Sequence, residues 1–257
     1  MRKPIIAGNW KLHKTVEESR QLITALAEGL QDVRDVEIVV APVFTALQSA
    51  VAAAKGSPIA IAAQNCYPEP SGAFTGEVSP ALLKDVGCVG AIVGHSERRQ
   101  LFGESNALIN DKVKALLTAG LRAIFCIGET LEERESGRMY DILTAQVKEG
   151  LAGLTPEDMT RVVVAYEPVW AIGTGKTASN EEAEEAHAFI RGLLQGIFNE
   201  NVAESTAVLY GGSVKPGNVD GLMAQEDIDG VLVGGASLVA EDFIRIVRYQ
   251  RSEPVQQ

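Results

Sequence analysis

A single glutamate lies at the end of an apolar run, directly before a loop that could cover it. Its carboxylate could act as a base. Residues 161–166 are rich in β-branched and apolar side chains, which predicts a short buried strand, and Glu167 follows directly. Desolvation at such a strand end raises the basicity of a carboxylate. The next residues are stiff at Pro168 and free to rotate at Gly173 and Gly175, so this segment could move as a unit and exclude water. The stretch is typical of a general base with a mobile lid; the plainer alternative is an exposed glutamate in an ordinary loop.

A histidine and a lysine at two other strand ends could work with that base. His95 follows an apolar run and precedes a helix start at Ser96, where backbone N–H groups and the helix dipole would keep its imidazole neutral. Lys11 follows the first apolar run and could give positive charge to an oxyanion or to a phosphate. The alternatives are a structural histidine and a solvated surface lysine. We expect purely structural roles for His13 and His187.

The elements that must position these residues are eight short apolar runs, most of them followed by a segment with helical periodicity. Buried strands that alternate with helices pair in parallel, and eight such units in about 250 residues predict a closed (β/α)8 TIM barrel of the α/β class. The first run is not followed by G-x-G-x-x-G, which argues against an open dinucleotide-binding sheet. The runs cover residues 4–8, 36–41, 59–63, 89–94, 121–127, 162–166, 207–210 and 230–233, and the clearest helical segments are 105–119 and 179–198.

Composition and charge exclude several classes of protein. With 257 residues, 46% of them hydrophobic, and no Pro/Ser-rich linker, the chain predicts one domain over residues 1–257. A formal net charge of -11 argues against nucleic acid and anionic membrane surfaces as partners, so local groups must hold any anionic ligand. The first residues lack the apolar stretch of a signal peptide, and no apolar run reaches the length of a membrane span. We therefore expect a soluble, cytoplasmic protein.

The cysteines suggest neither a disulfide framework nor a zinc site. Cys66, Cys88 and Cys126 are odd in number, far apart and without a C-x-x-C spacing. Buried reduced thiols are the simplest expectation. We predict no metal and no cofactor.

Two glycine pairs at consecutive strand ends predict a phosphate site. Gly211-Gly212 is followed by Ser213, and Gly234-Gly235 precedes a short predicted helix. Glycine lets backbone N–H groups approach an anion without interference from Cβ, and the helix adds its positive end. One such pair is more often a tight turn, whereas two pairs at neighbouring strand ends indicate a site for a dianion.

All of these polar residues lie at carboxyl ends of predicted strands, which is the face on which barrel enzymes build their sites. Five segments there form a pattern: Gly8-Asn9-Trp10-Lys11, Gly94-His95-Ser96-Glu97-Arg98-Arg99, residues 165–176, Tyr210-Gly211-Gly212-Ser213 and Gly234-Gly235-Ala236-Ser237. In these segments, their order and their spacing, the chain resembles the triosephosphate isomerase family from residue 5 to about residue 247. Chance agreement in five separated segments is negligible.

The resemblance implies an isomerase that interconverts dihydroxyacetone phosphate and D-glyceraldehyde 3-phosphate through an enediolate. Such a reaction needs a base that moves a proton between adjacent carbons and an acid that serves two oxygens in turn. The implied catalytic residues are Glu167, His95, Lys11 and Asn9, and the implied substrate contacts are Asn9, Lys11, Gly173, Ser213, Gly234 and Gly235. The implied supporting contacts are Glu97 with Lys11, Glu129 with Trp170 when the lid is open, Tyr210 with Ala178 when it is closed, and Cys126 packed near the base.

One departure and two rival functions remain open. Leu12-His13 stand where the family often has Met-Asn, which makes the contacts around this loop uncertain. One rival is a barrel aldolase or lyase that uses Lys11 to form a Schiff base with phosphorylated sugars. The other is a phosphate-binding barrel that has no enzymatic activity.

Residues 65–79 predict an interface. They form a long connection with proline and glycine and with the aromatic residues Tyr67 and Phe74, and loops of this length in compact domains are usually functional. The resemblance implies that this loop inserts into a second, identical subunit near its active site. Thr75 would reach toward Lys11 and its neighbours there, so we expect a homodimer. The alternative is a flexible surface loop.

Overall fold

The structure is a computed structural model that describes residues 2–172 and 177–250. Eight parallel strands pair in chain order and close into a barrel, because β1 pairs with both β2 and β8. The predicted (β/α)8 TIM barrel is therefore confirmed. The strands are β1 Ile5–Asn9, β2 Glu37–Ala41, β3 Ile59–Ala63, β4 Gly90–Val93, β5 Arg122–Ile127, β6 Val162–Tyr166, β7 Val208–Tyr210 and β8 Gly230–Val233.

Helices connect the strands and cover the outside of the barrel. They are α1 Val16–Gly29, α2 Leu47–Ala54, α3 Pro80–Asp85, α4 Ser96–Phe102, α5 Asn106–Thr118, α6 Leu131–Glu135, α7 Met139–Gly150, α8 Asn180–Ile197, α9 Glu200–Ser205, α10 Val219–Met223 and α11 Ala240–Val247. The first residues of the predicted segments 105–119 and 179–198 are N-caps: the hydroxyl oxygens of Ser105 and Ser179 accept backbone N–H groups in the first turns of α5 and α8. Both helices therefore begin where the sequence indicated. That residues 1–257 form a single domain stays a prediction.

Alternation along β6 divides its side chains between two cores. Val163 and Ala165 belong to the smaller apolar cluster, formed almost entirely by strand residues, which fills the inside of the barrel. Val162, Val164 and Tyr166 belong to the larger cluster, which the helices share. Since side chains alternate along a strand, the next residue of the inner set is the one after Tyr166. The fold thus aims position 167 into the mouth of the barrel.

The connection from β3 to α3 contains neither helix nor strand over residues 65–79, as the sequence predicted. Its two aromatic rings pack on each other, with the centroids of Tyr67 and Phe74 4.7 Å apart. Phe74 nevertheless keeps 39% of its surface exposed, and Thr75 is exposed beside it. Among the described residues, no helix is long and apolar enough to cross a membrane.

Candidate active site

A cavity of about 430 Å³ opens at the carboxyl ends of the strands. It brings together nearly all of the catalytic and substrate-contacting residues predicted from the sequence, although they come from distant parts of the chain. Gly173 is the exception, because it lies outside the described residues. The predicted residues that line the cavity are Asn9, Lys11, His95, Glu167, Ser213, Gly234 and Gly235.

Lys11 is held at the cavity by its backbone as well as by its side chain. It has a left-handed backbone with φ of 52°, which is costly for a residue with a Cβ. Its N–H donates to Oδ1 of Asn9 at 3.0 Å, and its carbonyl oxygen accepts from Nε2 of Gln64 at 2.8 Å. The ammonium donates to Oε1 of Glu97 at 2.6 Å, which is the predicted ion pair. These contacts fix the direction in which the charge of Lys11 points.

His95 is the N-cap of α4 and is 5% exposed. Its Nδ1 accepts the backbone N–H of Glu97 at 3.2 Å, so the proton of the neutral ring lies on Nε2, which faces Oε1 of Glu167 at 2.9 Å. Burial lowers the pKa of His95, but the charge and hydrogen bond of Glu167 outweigh burial and raise it overall. The sequence argument considered only the helix start and so missed this carboxylate, which opposes a neutral ring.

Glu167 is 1% exposed and accepts three hydrogen bonds. Besides His95, the backbone N–H of Ser96 donates to its Oε2 at 2.9 Å and the hydroxyl of Ser96 to its Oε1 at 3.2 Å. Burial raises the pKa of Glu167, but His95 and the N–H of Ser96 lower it overall. Desolvation thus acts on this carboxylate in the expected direction, but the expected net gain in basicity is absent in the described arrangement, because these partners stabilise its charge.

The two glycine pairs form one wall of the cavity. A Cβ at Gly212 would overlap the hydroxyl of Tyr210 and lie 3.0 Å from Cγ of Pro168, so only glycine fits there. A Cβ at Gly234 would lie 3.5 Å from Cε of Lys11. The predicted short helix is present as a 3-10 turn, Gly235–Leu238. Two glycine-lined strand ends and a lysine thus meet at one place, as an anion site requires.

A family model described as triosephosphate isomerase matches residues 4–250. The chain belongs to the triosephosphate isomerase family. Three curated relatives named triosephosphate isomerase align with 97% of this chain. The protein of Syntrophotalea carbinolica is 64% identical over 99% of its own length, that of Trichlorobacter lovleyi 56% over 100%, and that of Roseiflexus sp. 53% over 98%.

The resemblance to triosephosphate isomerases predicted a contact between the start of the lid and Glu129, and the structure contains it. Nε1 of Trp170 donates to Oε1 of Glu129 at 2.9 Å, and the same oxygen accepts from the hydroxyl of Tyr166 at 3.0 Å and from Arg134 at 3.2 Å. This is the contact expected with the lid open. Burial raises the pKa of Tyr210 to about 12, and the backbone of Ala178 acts in the opposite direction, so the partner expected on closure also lies near this hydroxyl.

Arg134 supports the start of the lid in a way that the sequence analysis missed. Its guanidinium lies over the ring of Trp170, 4.9 Å from the centroid, and also contacts Glu182 of α8 at 3.3 Å. Nothing local in the sequence marks it, since it lies in an ordinary charged helix, α6. It was detectable only as the cation nearest in sequence to Glu129.

A second lysine at the cavity was not singled out in the sequence. Lys215 also lines the cavity, so Lys11 is not the only cation available to an anionic ligand there. Its place two residues after Ser213 was a usable signal.

Cys126 is fully buried, and burial, with the nearby carboxylate of Glu167, raises the pKa of its thiol well above the usual value. This fits the predicted packing role, because a thiol that stays protonated is a poor nucleophile.

Proposed function

We propose that this chain interconverts dihydroxyacetone phosphate and D-glyceraldehyde 3-phosphate through an enediolate. The observation that carries the proposal is the pairing of a buried carboxylate, Glu167, with an imidazole N–H, His95, at 2.9 Å in a cavity that also contains a lysine and two glycine pairs. The reaction needs a base, a proton donor and a site for a dianion. All three groups face the same space.

In this mechanism Glu167 takes the proton from one carbon and returns it to the next. To reach the substrate carbon, the carboxylate leaves the N–H and hydroxyl of Ser96. Burial at 1% exposure raises its pKa, whereas His95 and the backbone N–H of Ser96 lower it. Movement away from Ser96 therefore makes the carboxylate more basic at the point where a base is needed. Substrate binding supplies the free energy for this step.

His95 and Lys11 stabilise the negative charge that develops on the two substrate oxygens. When Glu167 turns to the substrate, His95 loses the largest of the interactions that raise its pKa and keeps only the smaller one with Glu97, so burial then favours the neutral ring. Its Nε2–H donates to the carbonyl oxygen and exchanges the proton between the two oxygens. The ammonium of Lys11, fixed through Asn9 and Glu97, contributes a full positive charge in a partly buried site.

The phosphate binds at the glycine wall. Backbone N–H groups at Gly234 and Gly235, the loop at Ser213 and the charges of Lys11 and Lys215 favour a dianion there. The family resemblance assigns a further N–H to the lid residue Gly173. No metal or cofactor takes part in these steps.

We also propose that the active form is a homodimer in which residues 65–79 dock on the second copy. Phe74 is 39% exposed on this loop, and Leu12, after β1, and Leu101, on α4, are 92% and 75% exposed. Large apolar side chains with this exposure mark contact surfaces. In this proposal Thr75, which is exposed on the loop, contacts the Lys11 loop of the partner copy.

A coupled assay with glyceraldehyde 3-phosphate tests the proposed activity directly. We expect turnover without added metal or cofactor, and lack of turnover in folded protein would favour the non-enzymatic phosphate-binding barrel. Borohydride treatment with dihydroxyacetone phosphate separates the aldolase alternative, since only a Schiff base at Lys11 leaves a covalent adduct. We expect no mass increase on Lys11.

A further inference from the structure

The side chain of Gln146 forms a two-bond clasp with the backbone of one glycine. Gln146 lies on α7, and its Oε1 accepts the N–H of Gly128 at 2.7 Å while its Nε2 donates to the carbonyl oxygen of Gly128 at 3.0 Å. Both ends of the amide are used, and both polar groups of Gly128 are satisfied. Only a side chain with one donor and one acceptor at this spacing can make the pair of bonds.

Gly128 in turn contacts the backbone of the proposed base. A Cβ at position 128 would overlap the carbonyl oxygen of Glu167 and lie 2.7 Å from its carbonyl carbon. The N–H of Glu167 donates to the carbonyl oxygen of Ile127, the residue before Gly128, at 2.7 Å. The main chain at Glu167 is therefore located by residues 127 and 128, and the position of Gly128 is held by Gln146.

Side-chain packing does not take the place of the Gln146 hydrogen bonds in holding this backbone. A second cavity of about 190 Å³ lies beside Glu167, separate from the active-site cavity, and Gln146 and Ser96 line it as well. The ionisable residues around this cavity are Arg99 from α4, Glu133 from α6 and Glu167 itself. A space of this size leaves one side of this backbone without packed neighbours, so on that side its hydrogen bonds hold it in position.

We propose that Gln146 is a positioning residue for the proton-transfer step. It fixes Gly128, and through Gly128 it fixes the main chain from which the carboxylate of Glu167 reaches the substrate. The inference rests on the proposed role of Glu167 as the base. Gln146 does not line the active-site cavity, so its effect falls on the chemical step and not on phosphate binding.

Gln146→Glu tests the clasp, because the two side chains have the same shape. The carboxylate still accepts the N–H of Gly128 but repels its carbonyl oxygen, whereas the protonated acid can donate to that oxygen as the amide does. At pH 8 we expect kcat to fall about 10- to 100-fold with KM within about threefold of the unmodified enzyme, as expected for a small displacement of the base. At pH 5.5 the ratio of kcat to that of the unmodified enzyme should rise severalfold. Arg99, Glu133 and Glu167 are present in both proteins, so the ratio reports what the new carboxylate adds, including its effect on these three neighbours.

The matched control is Gln225→Glu. Gln225 also donates from Nε2 to a backbone carbonyl oxygen, that of Gly221, at 3.1 Å, but it lies beyond α10 and away from both cavities. We expect its kcat and pH profile to match those of the unmodified enzyme. If Gln146→Glu does not fold by circular dichroism, Gln146→Asn serves instead, because its amide is too short to make both bonds, and a lower kcat at unchanged KM is again expected.

Three results would overturn the inference: an unchanged kcat in Gln146→Glu, a loss that is the same at both pH values, or, where Asn must be used, a full kcat in Gln146→Asn. Glu167→Gln, measured in the same assay, separates this failure from failure of the proposed function. If Glu167→Gln abolishes turnover while the Gln146 variants are fully active, only the positioning role is wrong. If Glu167→Gln is fully active, the proposed base is wrong, and the inference fails with it.

Discussion

Oε1 of Glu167 lies 2.9 Å from Nε2 of His95, so the two proton-transfer groups are hydrogen-bonded to each other in the described structure. The pKa values of the two groups are shifted from their ordinary values in opposite directions. Burial raises and His95 lowers the pKa of Glu167, with a net decrease, whereas burial lowers and Glu167 raises the pKa of His95, with a net increase. Each group thus sets the protonation state of the other until one of them moves.

Glu167→Gln should separate binding from chemistry. The amide has nearly the same shape but cannot accept a carbon-bound proton, so we expect kcat to fall roughly 10²- to 10⁴-fold or more while ligand affinity is retained. The pKa of His95 should also decrease, because the carboxylate that raises it is gone, and NMR titration of the ring measures this. Glu181→Gln, an exposed change in the first turn of α8, is the control. A near-normal kcat in Glu167→Gln would exclude it as the base.

Lys11→Ala should weaken the binding of phosphorylated transition-state mimics. A charge-assisted hydrogen bond contributes about 1.5 to 3 kcal/mol, which corresponds to roughly a 10- to 100-fold loss in affinity. Lys215 stays at the cavity, so binding should be reduced and not abolished. Lys14→Ala is a close control, because Lys14 also has a positive φ, of 74°, but does not line the cavity. Inhibitor affinity equal to that of the unmodified protein would contradict a ligand-binding role and indicate that Lys11 is a solvated surface lysine.

Arg134→Met should destabilise the protein and alter Trp170. Glu129 is completely buried and Arg134 is 20% exposed in their ion pair, so removal of the cation leaves a buried carboxylate without its countercharge. We expect the free energy of unfolding in urea to fall by roughly 2 to 4 kcal/mol. The emission of Trp170 should shift as well, because the guanidinium leaves its ring. Arg20→Met breaks an exposed pair with Glu17 and should change stability very little; equal effects of both changes would contradict the prediction.

His187 should make the fold sensitive to acid. Burial lowers the pKa of His187 from 6.5 to about 3. Between these pH values the unfolded state binds the extra proton, so stability rises with pH and is lost as pH falls, by about 2 kcal/mol at pH 5. His187→Gln should remove most of this slope in urea titrations, whereas His13→Gln, at an exposed histidine, should leave it unchanged. A slope that persists in His187→Gln would assign the acid sensitivity to other groups.

Replacing residues 68–77 by a tight turn should give a folded monomer with a much lower kcat. The exposed part of the loop, with Phe74 and Thr75, would no longer reach a second copy, and Lys11 and His95 would lose rigidity. Light scattering and a coupled assay at matched concentrations measure both effects. A single-subunit mass for the unmodified protein, with full activity at nanomolar concentration, would contradict the dimer proposal.

The sequence predicted the barrel well because a short local run of apolar residues marks each strand. The runs at 59–63, 162–166 and 230–233 coincide with β3, β6 and β8, and the other strands differ by one residue at one or both ends. Once the strands are parallel, the topology brings their carboxyl ends together, so Lys11, His95 and Glu167 could be expected to meet.

Contacts between distant segments could not be predicted in the same way. The lowered pKa of Glu167 depends on the contacts of its carboxylate with His95 and with the N–H of Ser96, and the clasp of Gln146 on Gly128 depends on how α7 packs against the end of β5. Neither leaves a local pattern, because each requires the tertiary distance between two elements. The same holds for Arg134, which was visible only as one charge among several in a short helix.

Closure of the barrel also constrains how the chain is made. Ile5 pairs with Glu37 on one side and with Gly230 on the other, so β1 keeps an unpaired edge until β8 has left the ribosome. During that interval its N–H and C=O groups are available to strands of neighbouring chains. Slower synthesis of the last eighth of the chain should therefore increase aggregation more than the same delay in the middle helices.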